Sequence, residues 1–314
     1  MTWNYFVYIA ENQNLHESST LPEGLAGGFV DEVSVRFFTG NREGARKRYI
    51  REAKNFQIPQ AIQHTVPDFS SLSSPHWLGL EVEFELLTPW YSKDDRVFHV
   101  IDNPVRKDRV FGVPFMAASS WKGMLRLAFQ MHMRLIGPEK EEDEEKRKQA
   151  RAWELHLFGN EKGEEKNFHQ GTLVFYPTWF DRIGFEVINP HSRACRAGTQ
   201  PIYYEVVPGR RVKRNPDRSE EHIEGATGTF SLLYASWPGM KPKAKPEDVL
   251  PRLLEAIEAL LTTYGISAKR TVGWGTAEIK EWRAFHKAHG KTEKGSRNEF
   301  WTEIQNWLPL GGTP

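Results

Sequence analysis

The chain has 314 residues, 39% hydrophobic and 26% charged, a composition that excludes disorder along its length. Its 42 Lys and Arg against 41 Asp and Glu leave a net charge of +1, so any nucleic-acid surface has to be local rather than a global field. Cys195 is the one cysteine, which excludes an internal disulfide and Cys-rich zinc sites. No apolar run approaches the roughly 18 residues that span a bilayer, and the first residues lack the basic start and apolar stretch of a secretory signal. A cytoplasmic protein with no membrane partner is expected.

Residues 1–76 fit no element order that continues into the rest and read as an N-terminal extension of unclear role. From 78 to 86, Leu78, Leu80, Val82, Phe84 and Leu86 alternate with Glu81, Glu83 and Glu85, which predicts a strand with one face in a core and the other in water. A loop rich in Asp, Asn, Pro and Arg follows over 88–114. Ser119 and Ser120, both N-cap types, open a helix carrying Met124, Leu125, Ala128, Met131 and Leu135 at helical spacing. The charge run over 139–151 reads as a solvated helix with i,i+4 pairs.

Strands are expected over 172–176, 202–207 and 229–234. The clearest helix spans 246–264, where Val249, Leu250, Leu253, Leu254, Ile257, Leu260 and Leu261 form an apolar stripe and Gly265 suits the position after the C-terminus. Residues 276–282 close the pattern as a strand, with Ala277, Ile279 and Glu281 on one face and Glu278, Lys280 and Trp282 on the other.

From residue 77 onward the order is strand, helix, strand, strand, helix, strand. That is the βαββαβ order of a ferredoxin-like, RRM-like α+β fold with an antiparallel sheet. The core is expected over 77–285, with large insertions at 136–170 and 178–228, and residues 286–314 read as a polar C-terminal tail with a short helix over 298–308. Such sheets host many chemistries, so function has to come from particular segments.

Two segments carry charge and backbone access. In Val-Pro-Phe-Met-Ala-Ala-Ser-Ser-Trp-Lys-Gly-Met-Leu-Arg, ending at Arg126, Ser119 and Ser120 sit at a helix start, where N–H groups and the dipole favour a phosphate. Lys122 and Arg126, four apart, share one helical face beside it. The plain alternative is a capped helix with two surface bases. In the second segment, over 264–276, Gly265, Gly273 and Gly275 allow close backbone approach while Lys269 and Arg270 supply charge. The plain alternative there is a glycine-rich turn.

Together the two segments resemble the signatures of the RAMP superfamily, the repeat-associated proteins of type III CRISPR effector complexes. The first is similar to the family's Pro-(any)-Ile-Pro-Gly-Ser-Ser-Leu-Lys-Gly phrase, with Ala118 in place of the usual Gly. The second is similar to Gly-Ile-Gly-Ala-Lys-Arg-(two residues)-Gly-(aromatic)-Gly, with Ser267 in place of Gly. Leu157-Phe-Gly159, followed by Gly171-Thr-Leu-Val-Phe, resembles another family element. The resemblance covers about 78–283 and implies that Ser119, Ser120, Lys122, Arg126, Lys269 and Arg270 contact guide RNA.

In the Cas7-like backbone subunits of such complexes an Asp precedes a Pro-Val-(any)-Arg-like stretch, and Asp102-Asn-Pro-Val-Arg106 matches that arrangement. The resemblance thus nominates Asp102 for cleavage of target RNA with a divalent cation, Mg or Mn. An ordinary turn Asp before Asn-Pro is the alternative. Asp94, Asp95, Asp108 and His99 have weaker claims. Within the second insertion, 189–228 resembles the thumb of these subunits, with Arg210, Arg211, Lys213 and Arg214 as its RNA-facing bases; a solvated loop is the alternative.

The implied function is a guide-RNA-binding subunit with guide RNA, target RNA and other effector subunits as partners. A non-cleaving end-cap or scaffold subunit of the same complex is the first alternative. A free-standing endoribonuclease that processes guide RNA is the second, although the 11 histidines supply no convincing catalytic cluster.

Overall fold

A computed structural model describes residues 25, 28–59, 62, 66–96, 98–136, 144–160, 168–191, 197–215, 220–235, 242–308 and 310. Strand β1 (Trp77–Leu86) is central, and its alternation does what the sequence implies: Leu78, Leu80, Val82, Phe84 and Leu86 are all buried in the main core. It is followed by β2 (Phe115–Met116), helix α3 (Ala118–His132), helix α4 (Glu144–Phe158), β3 (Leu173–Phe175) and β4 (Thr178–Trp179). Before β1 lie α1 (Phe29–Phe38) and α2 (Arg42–Lys54). After β4 come β5 (Gly184–Ile188), β6 (Ile202–Val206), β7 (Arg211–Arg214), β8 (Glu220–Ile223), β9 (Thr227–Ala235), α5 (Pro246–Ala259), β10 (Ala277–His286), β11 (Gly290–Lys294) and α6 (Arg297–Ile304).

The main sheet runs β11-β10-β1-β9-β3, with every neighbouring pair antiparallel. Leaving β11 aside, chain order maps onto space as fourth, first, third, second, the arrangement of the split βαβ fold. Helices α3 and α5 pack on the core face, where α5 buries Val249, Leu250, Leu253, Leu254 and Ile257. Each such side chain contributes about 1.5–3 kcal/mol when fully buried, so this stripe outweighs the interruption at Pro251. A π turn over Leu260–Tyr264 ends α5, and Gly265, at φ 76°, reverses the chain. None of the described helices is long and apolar enough to cross a membrane.

The structure departs from expectation at five places. Helix α3 starts at Ala118 with Ala117 at its cap position, so Ser119 and Ser120 lie in the first turn and do not cap it. Its buried face is Trp121, Leu125, Ala128 and Phe129, while Met131 is exposed and Leu135 lies beyond the helix. The 202–207 strand is β6, which pairs with β5 in its own hairpin outside the main sheet.

The third departure concerns β10. Glu83 pairs with Glu281 and Phe84 with Ile279, so Lys280 is an extra residue, a β-bulge. Beyond it the alternation flips, and Trp282 joins Ala277 in the core instead of facing away from it. Fourth, the second face of the sheet is not simply in water. Phe69 lies against Gly79, where a Cβ would come within 2.6 Å of its ring, and clusters with Leu233 and Ala235. The residues after β10 are likewise no peripheral tail: β11 extends the sheet, and Phe300, Ile304, Trp307 and Leu310 enter the core. The first insertion contributes α4, with Leu157 and Phe158 buried; residues 139–143 of the expected solvated helix lie outside the described residues.

Candidate functional site

The two signature segments, far apart in the chain, meet. Phe115, Met116, Ala117, Ser119, Ser120, Gly123, Met124 and Leu127 from the start of α3 face Ile266, Ser267, Ala268 and Arg270 of the glycine-rich loop across a groove of about 420 Å³. Trp90, Ser92 and Arg106 complete its walls. No side chain among the described residues caps α3; Ser120 and Trp121 N–H donate to the Ala117 carbonyl, which leaves the Ala118 and Ser119 N–H groups to an acceptor, on the positive end of the helix dipole.

The glycine-rich loop is held from beneath by the chain just after β1. Trp90 donates its indole N–H to the Ile266 carbonyl at 2.9 Å, and Ala268 N–H donates to the Tyr91 carbonyl at 2.8 Å. Ser267 is buried, and its hydroxyl accepts from Tyr91 N–H at 3.0 Å while donating to the Tyr91 carbonyl at 3.1 Å. The serine that departs from the family phrase is therefore a fastening point and not merely a small residue. Gly275, at φ 91°, leaves room for a Cβ only 2.3 Å from Ser267 N, so only glycine fits; Gly273, at φ 82°, adopts the left-handed conformation with open space around it.

Gly123 is different. A Cβ there would meet nothing within 4 Å, and its φ is ordinary. A glycine inside a helix costs about 1 kcal/mol relative to alanine, and neither backbone nor packing in this chain requires it. It is exposed on the groove wall, where the missing side chain leaves open space.

The expected RNA-binding bases are not gathered equally. Arg270 lines the groove with Ser119 and Ser120. Lys122 is exposed on α3, with burial first and Arg126 second lowering its pKa below the usual lysine value. Arg126 is turned to α4, where its Nε donates to Glu154 at 2.6 Å. Lys269 sits over the Tyr204 ring at 5.1 Å, and Trp274 meets the same ring edge-on. Arg106 is a further base on the groove wall that the sequence pattern does not single out; its guanidinium lies 5.5 Å above the Phe115 ring, itself 5.3 Å from Trp179. The sequence signal for it is its place at the end of the Asp102-Asn-Pro-Val-Arg stretch.

Asp102 is exposed, and among the described residues its carboxylate has no hydrogen-bond or ion-pair partner. The neighbouring acids have other duties. Asp94 accepts from Arg96 N–H, Asp95 pairs with Arg109 at 3.1 Å, and Asp108 accepts from Val110 and Phe111 N–H in a turn. His99 is buried edge-on against Tyr49, and burial followed by Lys107 and Arg96 holds its pKa well below the usual histidine value. Among the described residues no three His, Cys, Asp or Glu side chains gather to hold a metal ion. An exposed single carboxylate nevertheless fits a magnesium-type ion, which takes one or two protein oxygens and fills the rest from phosphate and water.

The loop after Asp102 is fastened by a buried polar cluster that sequence patterns do not show. Glu205 Oε1 accepts from the Tyr49 hydroxyl at 2.5 Å, and Oε2 accepts from Val105 N–H at 3.0 Å and from Lys107 Nζ. Burial, and then the Glu205 carboxylate, push the Tyr49 phenol well above its usual pKa, so the hydroxyl stays a donor.

The second insertion forms the β5–β6 and β7–β8 hairpins; β7 and β8 are exposed along their whole length. Its bases are matched by acids. Arg210 pairs with Glu85 and Glu278, Arg211 with Glu186, Lys213 with Glu221 and Arg214 with Glu220. The Arg210 hydrogen bond is the main cause holding the Glu85 carboxyl down to about 2.

Comparison with known proteins agrees with this geometry. In sequence, the chain is 26% identical over 135 residues to the CRISPR system Cms endoribonuclease Csm3 of Streptococcus thermophilus, covering 43% of this chain and about 56% of that relative. In structure, it matches a chain of a cryo-EM structure of the type III-B Cmr-beta bound to cognate target RNA, with a TM-score of 0.53 and 15% identity over 89% of this chain and 99% of that one. The family model of the RAMP superfamily matches residues 83–278, from within β1 to the start of β10 and across both walls of the groove, and the chain belongs to that superfamily.

Proposed function

We propose that this chain is a guide-RNA-binding, Cas7-like subunit of a type III CRISPR effector ribonucleoprotein, and that Asp102 promotes cleavage of the target RNA. The observation that carries the RNA-binding half is the groove itself, where an uncapped helix start, Arg270 and the unneeded Gly123 face one another. Uncapped N–H groups and a guanidinium suit phosphate oxygens, and a missing side chain suits close passage of a backbone. The sequence relative, named an endoribonuclease, and the structural relative, bound to target RNA, support the same reading.

For cleavage, Asp102 offers an exposed carboxylate on a loop whose following residues are held in place. Its role is to position, by its charge, the ribose 2′-hydroxyl. That hydroxyl loses its proton to solvent and bonds to the adjacent phosphorus as the bond to the 5′-oxygen breaks, leaving a 2′,3′-cyclic phosphate and a 5′-hydroxyl; the carboxylate is not itself the nucleophile. A divalent cation, Mg or Mn, would supply charge neutralisation at that phosphate, with Asp102 as its one protein oxygen donor.

The test is Asp102→Asn in the assembled complex, a change that keeps size and removes charge. Guide and target binding are expected to stay at parental levels while cleavage at one position is lost, and a chelator added to the parent complex should abolish cleavage as well. Cleavage at every position at parental rates would leave the chain as a non-cleaving end-cap or scaffold subunit.

A further inference from the structure

Residues 103–107 have no continuous ladder partner. Asp94, Ser92 and Phe115 bond the backbone of Pro104 and Arg106 on one side, and on the other three further bonds tie the segment to β6 and to the ion pair it makes there. Glu205 N–H donates to the Asn103 carbonyl at 3.0 Å, Val105 N–H donates to Glu205 Oε2 at 3.0 Å, and Lys107 Nζ donates to the Val105 carbonyl at 3.1 Å. Asn103 Nδ2 adds a contact to the Tyr203 carbonyl at 3.1 Å. All but the Lys107–Val105 bond reach Glu205 and its neighbours on β6, and Lys107 reaches Glu205 through its own ion pair. The remaining oxygen of Glu205 is taken by Tyr49, on α2 of the N-terminal extension, 156 residues away in the chain.

The Lys107 and Glu205 side chains are 0% exposed, and so is Tyr49. A fully buried ion pair is a poor device for stability alone, because its desolvation cancels much of its attraction and apolar residues of the same volume serve as well. What it supplies that apolar packing cannot is direction. A carboxylate with three donors at fixed angles sets the path of an irregular loop, where van der Waals contacts would allow it to slide. Tyr49 is itself held by its ring against His99 and by Lys107 Nζ 5.8 Å from its centroid, so the hydroxyl arrives from a fixed direction.

We infer that Tyr49 and Glu205 are positioning residues for Asp102: the N-terminal helices lock the loop so that the Asp102 carboxylate is presented in one place. The inference rests on the reading of Asp102 as the cleavage residue. It also gives the N-terminal extension a task, since α2 supplies the outer member of the lock.

The experiment uses the whole complex with guide RNA and measures the single-turnover cleavage rate at the position assigned to this subunit, target affinity and thermal melting. Tyr49→Phe removes one hydroxyl and keeps the ring on His99. It should slow cleavage at that position by about tenfold, within the range for losing an orienting partner, with target affinity unchanged. Combined with Asp102→Asn, it should cost nothing further, because it acts through Asp102. Ile257→Val, a core trim on α5, should lower melting without slowing cleavage. A parental rate in Tyr49→Phe, an added loss in the double variant, or equal slowing in Ile257→Val overturns the lock. Should Tyr49→Phe not assemble, Asn103→Ala loosens the same loop from its exposed side, and a parental rate there overturns it as well. Normal cleavage by Asp102→Asn defeats the parent reading instead, whereas loss with Asp102→Asn and a parental rate with Tyr49→Phe defeats the lock alone.

Discussion

Trp90 and Ile266 are joined by a buried hydrogen bond of 2.9 Å from indole to carbonyl, and this bond fastens one wall of the groove to the chain leaving β1. Trp90 also packs against Phe180, with ring centroids 4.8 Å apart. The glycine-rich loop can thus be both rich in left-handed glycines and fixed in place.

Trp90→Phe keeps an aromatic ring but leaves the Ile266 carbonyl buried without its donor. A cost of about 1–3 kcal/mol in urea unfolding is expected, together with weaker guide RNA retention as the loop loosens. Parental RNA retention despite the lost stability would separate the loop's order from RNA binding.

Gly123→Ala tests the groove with opposite signs in two assays. The chain should gain about 1 kcal/mol of stability, because alanine suits a helix interior and meets no neighbour. RNA binding should fall, and fall further in Gly123→Leu. Improved stability with unchanged RNA binding in both variants would remove Gly123 from the interface.

The Glu85 carboxyl has its folded pKa lowered from 4.5 to about 2, chiefly by Arg210 and, with opposing burial, also by Lys280 and Gly225 N–H. A depressed folded pKa means this stabilisation is complete above about 4.5 and is lost as pH falls toward 2. Glu85→Gln should therefore be less stable than the parent at neutral pH and show a flatter loss of stability between those values. Parallel acid-unfolding curves would show that the Arg210 pairing carries no such linkage.

On the β7–β8 hairpin, Lys213 and Arg214 are well exposed and each faces an acid on the partner strand. Exposed pairs contribute about 0–1 kcal/mol. Replacing both bases with Ala should leave melting nearly unchanged, and any effect should appear as weaker RNA binding with a shallower dependence on salt. Unchanged RNA binding and salt slope would mark the hairpin as a solvated protrusion.

Contiguous patterns were legible in the sequence. Leu78 to Leu86 repeats one instruction, every second residue apolar, and the α5 stripe repeats another at helical period, so each segment declares its buried face without knowing its partner. The order of these segments was enough for the ferredoxin-like topology, and two signature phrases were enough to point to the superfamily. Trp282 shows where this stops: the single extra residue Lys280 shifts the pairing, and nothing within 276–282 announces it.

The site was legible as residues but not as relationships. Ser119, Ser120 and Arg270 could be nominated, while the turning of Arg126 to Glu154 and of Arg210 to Glu85 depended on which acids the fold brought near. Tyr49, Lys107 and Glu205 carry no motif at all. Their partnership exists because α2, the loop after Asp102 and β6 converge, and burial then turns three ordinary polar side chains into obligatory partners. The sequence by itself determined the faces of the elements and their order, since periodicity is a local property. Only the tertiary structure decided which charges are paired and which, like Asp102, are left exposed, since desolvation depends on everything that packs around a group.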